Sequence, residues 1–141
     1  MVNAKTIMSP NVITVTPEED IYEAIRIMVL NNVTGLPVVE ADDTLVGIIT
    51  EKDVLGLLYD GEDESGTVRQ YMTAEVVTFS PEDDLKAVVE TFISHAFRRV
   101  PILDEGKLIG VISRKDVVRH ISNVKGQDAL LAKDSILELL Y

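Results

Sequence analysis

Gly47-Ile48-Ile49-Thr50-Glu51-Lys52-Asp53 recurs 63 residues later as Gly110-Val111-Ile112-Ser113-Arg114-Lys115-Asp116. Each copy runs from an apolar stretch into a hydroxyl residue and reaches an aspartate three residues on. Outward from this stretch the repetition continues at an offset of 64. Met8 falls on Met72, Thr16-Pro17 on Ser80-Pro81, and Pro37 on Pro101. Ile21, Ala24, Ile25, Met28 and Val29 fall on Leu85, Val88, Val89, Phe92 and Ile93. The offset drops by one where a turn loses a residue. Caps, core positions and turn residues repeat together, so the chain reads as two like halves. Such halves usually pack about an internal two-fold axis, and whatever is built at the seam is built twice.

Each half opens with a short β-branched run, Val12–Val15 or Val76–Phe79. Thr16-Pro17-Glu18-Glu19 and Ser80-Pro81-Glu82-Asp83 follow, and both predict a helix start with a hydroxyl N-cap, proline at N1 and an acid at N3. From Ile21 and Leu85 apolar residues recur at i, i+3, i+4, i+7 and i+8, one stripe of an amphipathic helix. These stripes read as core. Leu36–Val39 with Leu45–Ile49, and Val100–Leu103 with Leu108–Ile112, predict two hairpins turning at Asp42-Asp43 and Glu105-Gly106. A second helix is expected after Thr50 and after Ser113. The order per half is strand, helix, strand, strand, helix, and small sheets with helices on one face make an α/β (α+β) fold.

Composition narrows the function classes. The 141 residues suit one domain of ordinary size, and 46% hydrophobic residues mark a globular chain. A half of about 60 residues would bury only roughly 60% of its surface alone, so the halves are expected to share an interface. No apolar run approaches the ~20 residues of a membrane span, and no signal peptide is read. Cysteine is absent, which excludes disulfides, thiolate metal sites and a cysteine nucleophile, and suits the cytoplasm. A net charge of −11 argues against nucleic acid or an anionic membrane as partner. Part of the excess lies in Asp60-Gly61-Glu62-Asp63-Glu64-Ser65-Gly66, which reads as a solvated linker.

The G-x-x-[ST]-x-x-D turn carries the most chemistry. A helix start presents unpaired backbone N–H groups that favour an anion. A hydroxyl there can donate to phosphate, and a carboxylate one turn on can accept from vicinal ribose hydroxyls. The same residues also make a capping arrangement with Thr50 and Ser113 as N-caps, which has no ligand in it. The duplication of the turn, each copy after a hairpin strand, favours the ligand reading.

Arg98-Arg99 precede Val100-Pro101, where the first half has Thr34-Gly35. Adjacent arginines suit bidentate phosphate contacts, or they simply balance an acidic surface. If they serve a ligand, the two halves should differ in affinity or ligand charge. His95 and His120 lack metal-site spacing and read as surface or boundary residues. No nucleophile–base pattern, P-loop or Gly-rich dinucleotide turn is present, so no enzyme activity is expected. Gln127–Tyr141, after Gly126, is expected to form a C-terminal helix that packs on the body or on another subunit.

With these motifs in hand, the chain resembles a tandem pair of cystathionine β-synthase (CBS) domains, a Bateman module. The resemblance rests on Lys5-Thr6-Ile7-Met8 with Val68-Arg69-Gln70-Tyr71-Met72, on Leu36-Pro37-Val38-Val39 with Val100-Pro101-Ile102-Leu103, and on the two turns. It divides the chain into residues 5–60, a linker at 61–67, residues 68–122 and a C-terminal helix at 127–141. It implies adenosine ligands (AMP, ADP, ATP, or S-adenosylmethionine or NAD) in clefts between the domains. By the same resemblance Asp53 and Asp116 hold ribose, and Thr50 and Ser113 lie near ribose or phosphate. Thr16 and Ser80 line the cleft, and Leu36, Val38, Val100 and Ile102 flank adenine. Arg99, with Arg98 beside it, meets phosphate, a contact the first half lacks at Gly35. The family implies a disc-like homodimer that regulates a partner protein. The alternative expectation is a dimerisation or docking protein with empty clefts, acting through its C-terminal helix.

Overall fold

A computed structural model describes residues 2–60 and 66–132, in which each repeat builds one two-stranded antiparallel hairpin with helices beside it. The elements in chain order are α1 (Ala4–Ile7), α2 (Ile21–Asn31), β1 (Gly35–Val39), β2 (Leu45–Thr50) and α3 (Glu51–Asp60). They continue with α4 (Val68–Tyr71), α5 (Leu85–Ser94), β3 (Arg99–Asp104), β4 (Lys107–Ser113) and α6 (Arg114–Ala132).

The packing units cross the repeat boundary. The repeat-one unit comprises Ile13–Val76 and takes in Gly106–Leu108. The repeat-two unit joins the N-terminal segment through Val12 to Val77–Glu105 and to the chain from Ile109 on. The helix that opens each repeat therefore packs away from the strands that follow it in sequence. Val68 lies in the core with Val15, Ile21, Ala24, Met28, Leu36, Val38 and Ile49. Ala4 lies in the other core with Leu85, Val88, Val89, Phe92, Val100, Ile102, Ile112 and Val117. Hydrogen bonds fix the exchange. Val68 N–H donates to Glu19 O (2.9 Å) and Arg69 N–H to Pro17 O (2.8 Å), while Ala4 N–H donates to Asp83 O (2.8 Å) and Lys5 N–H to Pro81 O (2.9 Å). Both short helices thus have their first orphan donors satisfied by a turn distant in sequence.

That turn is where the helix start was expected, and the structure corrects it. Thr16-Pro17-Glu18-Glu19 and Ser80-Pro81-Glu82-Asp83 form turns, closed by Glu19 Oε2 on Thr16 N (3.3 Å) and Asp83 Oδ2 on Ser80 N (2.7 Å). The helices start later, with Asp20 and Asp84 as N-caps accepting from Tyr22 N and Lys86 N. Asp20 is held extended (φ −60°, ψ 135°) because its backbone pairs with Thr67, and Ile21 N–H donates to Gly66 O (3.0 Å). Gly66 and Thr67 are thus built into the repeat-one unit, whereas residues 61–65 of the expected linker lie outside the described residues. The opening runs Val12–Val15 and Val76–Phe79 shrink to single parallel bridges, Val15 with Val38 and Phe79 with Ile102.

β1 and β2 pair Gly35 with Thr50, Leu36 with Ile49, Pro37 with Ile48 and Val38 with Gly47, and the register slips between Val38 and Val39. The α2 stripe buries Ile21, Ala24 and Met28, but Val29 is 74% exposed, and Ile93, its counterpart on α5, is 63% exposed. The apolar stripe is therefore wider than the core it covers. α6 runs through Gly126 without a break, since a lone glycine costs a helix only about 1 kcal/mol. Residues 133–141 of the expected C-terminal helix lie outside the described residues.

Candidate functional site

Each G-x-x-[ST]-x-x-D turn joins a hairpin strand to a helix, and its glycine lets a neighbouring segment approach. A Cβ at Gly47 would lie 2.8 Å from both the Met72 sulfur and the Thr73 carbonyl oxygen. A Cβ at Gly110 would lie 2.7 Å from the Met8 sulfur and 3.0 Å from the Ser9 carbonyl oxygen. The repeated methionine and the repeated glycine are thus one contact. Backbone pairs seal it: Ile48 with Thr73 (2.9 Å both ways), and Ser9 with Val111 (2.8 and 3.0 Å).

At the turn itself the hydroxyl and the acid cap the helix reciprocally. Thr50 N–H and Thr50 Oγ1–H both donate to Asp53 Oδ2 (2.9 Å each), and Asp53 N–H donates back to Thr50 Oγ1 (3.3 Å). Ser113 N–H donates to Asp116 Oδ2 (2.8 Å), and Asp116 N–H to Ser113 Oγ (3.1 Å). The capping arrangement read from the sequence is therefore formed in both copies. All four side chains are half-buried.

The free carboxylate oxygen separates the copies. Asp53 Oδ1 accepts from the Thr73 hydroxyl (3.1 Å), while Asp116 Oδ1 pairs with Arg119 Nη1 (3.2 Å). Thr73 and Arg119 were not singled out in the sequence. Thr73 had a signal, since Met72-Thr73 repeats Met8-Ser9. Arg119 had none, because its counterpart is Gly56.

The other expected site residues distribute differently. Thr16 and Ser80 are exposed on their turns, where Glu19 and Asp83 hold their N–H groups. Leu36 (1% exposed), Val38 (0%), Val100 (1%) and Ile102 (0%) sit inside the two cores.

Arg98 is exposed and Arg99 half-buried at the start of β3. The Arg98 carbonyl accepts from Arg114 N–H (3.0 Å), which puts the pair beside the start of α6. Among the described residues neither guanidinium has a hydrogen-bond or ion-pair partner. Arg114, which the sequence reading did not single out, reaches the end of α5. Its Nε donates to Phe97 O (2.7 Å) and its Nη2 to His95 O (2.9 Å) and Phe92 O (3.2 Å). A cation there satisfies orphan carbonyls and complements the helix dipole.

His95 stacks on Phe97, with ring centroids 5.0 Å apart. Ser94 Oγ lies 3.0 Å from His95 Nδ1, but its hydroxyl is positioned to donate to Glu90 O (2.8 Å), so the pair is not an activated nucleophile. Among the described residues no group of three or more His, Asp or Glu could hold a metal ion, and no helix is long and apolar enough to cross a membrane. What the turns offer is carboxylate oxygens that can accept from hydroxyls and, in repeat two, two guanidiniums nearby without a partner among the described residues.

Comparison with known proteins accords with this geometry. The CBS domain family model matches twice, over residues 4–60 and 68–123. An uncharacterized protein of Methanocaldococcus jannaschii is 38% identical over 119 residues, covering 84% of this chain but 42% of that relative, so the chain spans less than half of its length. The CBS domain-containing protein YhcV of Bacillus subtilis is 33% identical over 132 residues, covering 92% of this chain and 94% of YhcV. Among solved structures, CBSX2 of Arabidopsis thaliana in complex with AMP superposes with a TM-score of 0.81 at 29% identity, covering 89% of this chain and 99% of that one. The CBS domain pair of protein MJ0100 in complex with 5′-methylthioadenosine and S-adenosyl-L-methionine superposes with a TM-score of 0.74 at 27% identity, covering 87% and 98%. Two family matches that coincide with the two repeats, on a fold shared with these pairs, make the chain a member of the CBS domain family in its tandem form.

Proposed function

We propose that the chain is a regulatory module that binds an adenosine-derived ligand at each G-x-x-[ST]-x-x-D turn and performs no chemistry of its own. The observation that carries this reading is the doubled turn, with a half-buried hydroxyl and acid at a helix start, in a fold whose solved neighbours hold AMP, or methylthioadenosine and S-adenosylmethionine. Asp53 and Asp116 would accept from ribose hydroxyls in place of Thr73 and Arg119. Thr50 and Ser113 would face ribose or phosphate. A bound ligand would favour one arrangement of the module over another by its differential affinity, and a partner protein would read the balance.

Calorimetry with AMP, ADP, ATP, S-adenosylmethionine and NAD tests this. Saturable binding is expected for at least one. Asp53→Ala and Asp116→Ala should each remove one site while lowering stability by only about 1 kcal/mol, the worth of a cap. Ligand at one hundred times its Kd should raise stability by about 2.7 kcal/mol. Flat titrations for every purine compound would end the proposal.

A second reading is favoured by exposed apolar side chains on α2 and α3: Val29 (74%), Leu30 (68%), Leu55 (65%) and Tyr59 (91%). In it the chain works in the cytoplasm as a homodimer or docking protein, and the turns are only caps. Sedimentation separates the two readings. Val29→Glu with Tyr59→Glu would dissociate a dimer built on these side chains, and ligand binding at the turns would be unaffected in a sensing module.

A further inference from the structure

Each repeat seats a methionine sulfur on a glycine, and the contact has no room to spare. A Cβ at Gly47 would lie 2.8 Å from the Met72 sulfur, and one at Gly110 would lie 2.7 Å from the Met8 sulfur. Cysteine is absent, so thioethers are the sulfurs an oxidant can reach. Met8 and Met72 are half-buried, whereas Met28 is 5% exposed inside its core. The backbone donors of both contacts are already used. Met72 N–H donates to Val68 O (2.9 Å), Thr73 N–H to Ile48 O (2.9 Å) and Ile48 N–H to Thr73 O (2.9 Å). In repeat two Met8 N–H donates to Ala4 O (3.0 Å), Ser9 N–H to Val111 O (2.8 Å) and Val111 N–H to Ser9 O (3.0 Å). What lies beyond the contact differs. The Thr73 hydroxyl holds Asp53 Oδ1 (3.1 Å), whereas Asp116 Oδ1 is held by Arg119 (3.2 Å) from its own helix.

We propose that Met72 is a reversible, peroxide-sensitive latch on the Asp53 turn, and that its twin Met8 loosens the Ser9–Val111 bridge without reaching Asp116. A lone pair of the thioether sulfur attacks one oxygen of a hydroperoxide. The S–O bond forms as the O–O bond breaks, and the proton on the transferred oxygen passes to the departing one. Sulfur is oxidised to the sulfoxide, and the peroxide is reduced to water or an alcohol. The new oxygen adds volume where the glycine's missing Cβ is the only allowance made. It is also a strong acceptor, and the N–H groups of Met72, Thr73 and Ile48 are bonded elsewhere. It is accommodated by backing Met72-Thr73 away from β2 or by capturing the Thr73 hydroxyl. Either way Asp53 Oδ1 loses its partner. At Met8 the same step strains the bridge to Val111, but the Arg119 guanidinium on α6 still holds Asp116. The latch stands on these contacts alone, whatever the turn binds.

The test exposes the full chain to hydrogen peroxide and maps oxygen uptake by peptide mass spectrometry. Met72 and Met8 should be oxidised before Met28. Amide exchange at Ile48 and Thr73 should then run at least about tenfold faster, since the paired bridge opens. The Asp53 carboxyl carbon resonance should move while that of Asp116 holds. Methionine sulfoxide reductases acting on both epimers should restore the exchange rates and the resonance. Met72→Leu keeps the volume and removes the sulfur, so peroxide should leave Ile48, Thr73 and Asp53 unchanged in it. In Met8→Leu peroxide should still act on all three. Reversal in the wild-type chain needs no variant to fold. The proposal is overturned if Met72 is oxidised no faster than Met28, or if exchange at Ile48 and Thr73 is unchanged once Met72 is oxidised. It is equally overturned by an Asp53 resonance that stays put, by one that Asp116 follows, or by changes that the reductases cannot undo.

Discussion

The first helix of repeat one and the first helix of repeat two end differently. α2 closes on Asn32 in the left-handed region (φ 51°, ψ 47°), whose N–H reaches Met28 O and Val29 O. α5 closes on His95 in an extended conformation, and Arg114 comes from the start of α6 to take the carbonyls of Phe92, His95 and Phe97. One copy uses a local cap that only a residue tolerant of positive φ supplies. The other uses a cation brought by tertiary packing. The hairpins and their cores are common to both. The comparison teaches that the repeated fold is held by core and hairpin, leaving polar termini free to diverge, and that divergence is what placed arginines on one turn only.

The most severe test of that view is the contact both copies share. Gly47→Ala puts a methyl 2.8 Å from the Thr73 carbonyl oxygen, a backbone atom in a paired bridge. Gly110→Ala meets backbone only at 3.0 Å, its nearer neighbour being the flexible end of Met8. Both should destabilise by overpacking, Gly47→Ala by about 3 kcal/mol and Gly110→Ala by about 1–2 kcal/mol, read by urea denaturation. Equal costs would mean that the copies are tighter mimics than their contacts indicate.

Arg114→Ala probes the divergent ends. It removes three charge-assisted bonds to carbonyls and should destabilise by about 1.5–2 kcal/mol, discounted for the exposure of the side chain. Glu51→Ala, at the matching place in repeat one, should change stability by under about 0.5 kcal/mol. Amide exchange should show the end of α5 opening first in the variant. If exchange there is unchanged, Arg114 is not what closes that helix.

Much of this architecture was legible from the chain alone, and the misreadings share a cause. The hairpins were readable because the β-branched and apolar runs around Asp42-Asp43 and Glu105-Gly106 obey local rules. The capped turns at Thr50–Asp53 and Ser113–Asp116 were readable because their partners lie three residues apart. Thr16 and Ser80 misled as helix caps because the proline and acid after them do form a turn. What postpones the helix to Asp20 is a bond from Ile21 to Gly66, 45 residues away. The faces of β1 were not legible, since every one of its residues is buried and alternation along the strand carries no information about faces. Arg114 was invisible because an arginine opening a helix is unfavourable locally. Its reward lies at another helix.

The smallest effect comes from the hairpin turns, where the repeats also part. The repeat-two turn has positive φ at both Glu105 (49°) and Gly106 (79°), as a two-residue hairpin prefers. The longer repeat-one turn has it at Asp43 (70°). Within the repeat-one unit Asp42 Oδ2 pairs with Lys107 Nζ at 2.7 Å, and Thr44 N–H donates to Asp42 Oδ1 at 3.1 Å. The Lys107 ammonium, then the Thr44 donors, hold the Asp42 carboxyl well below the usual carboxylate range. A carboxyl lowered on folding stabilises the fold above its unfolded value of 3.8, and the contribution fades as acid protonates it. Asp42→Asn should therefore lower Tm slightly at neutral pH, with the difference from wild type shrinking below about pH 4. Both side chains are substantially exposed (64% and 43%), so salt should shrink it too. Thr44 occupies the place of Lys107 in repeat one, so the pair has no symmetric twin. A Tm difference that persists unchanged from neutral pH to about pH 3 would show that Asp42 acts through its turn geometry, as its counterpart in a symmetric repeat would, and that the ion pair adds nothing.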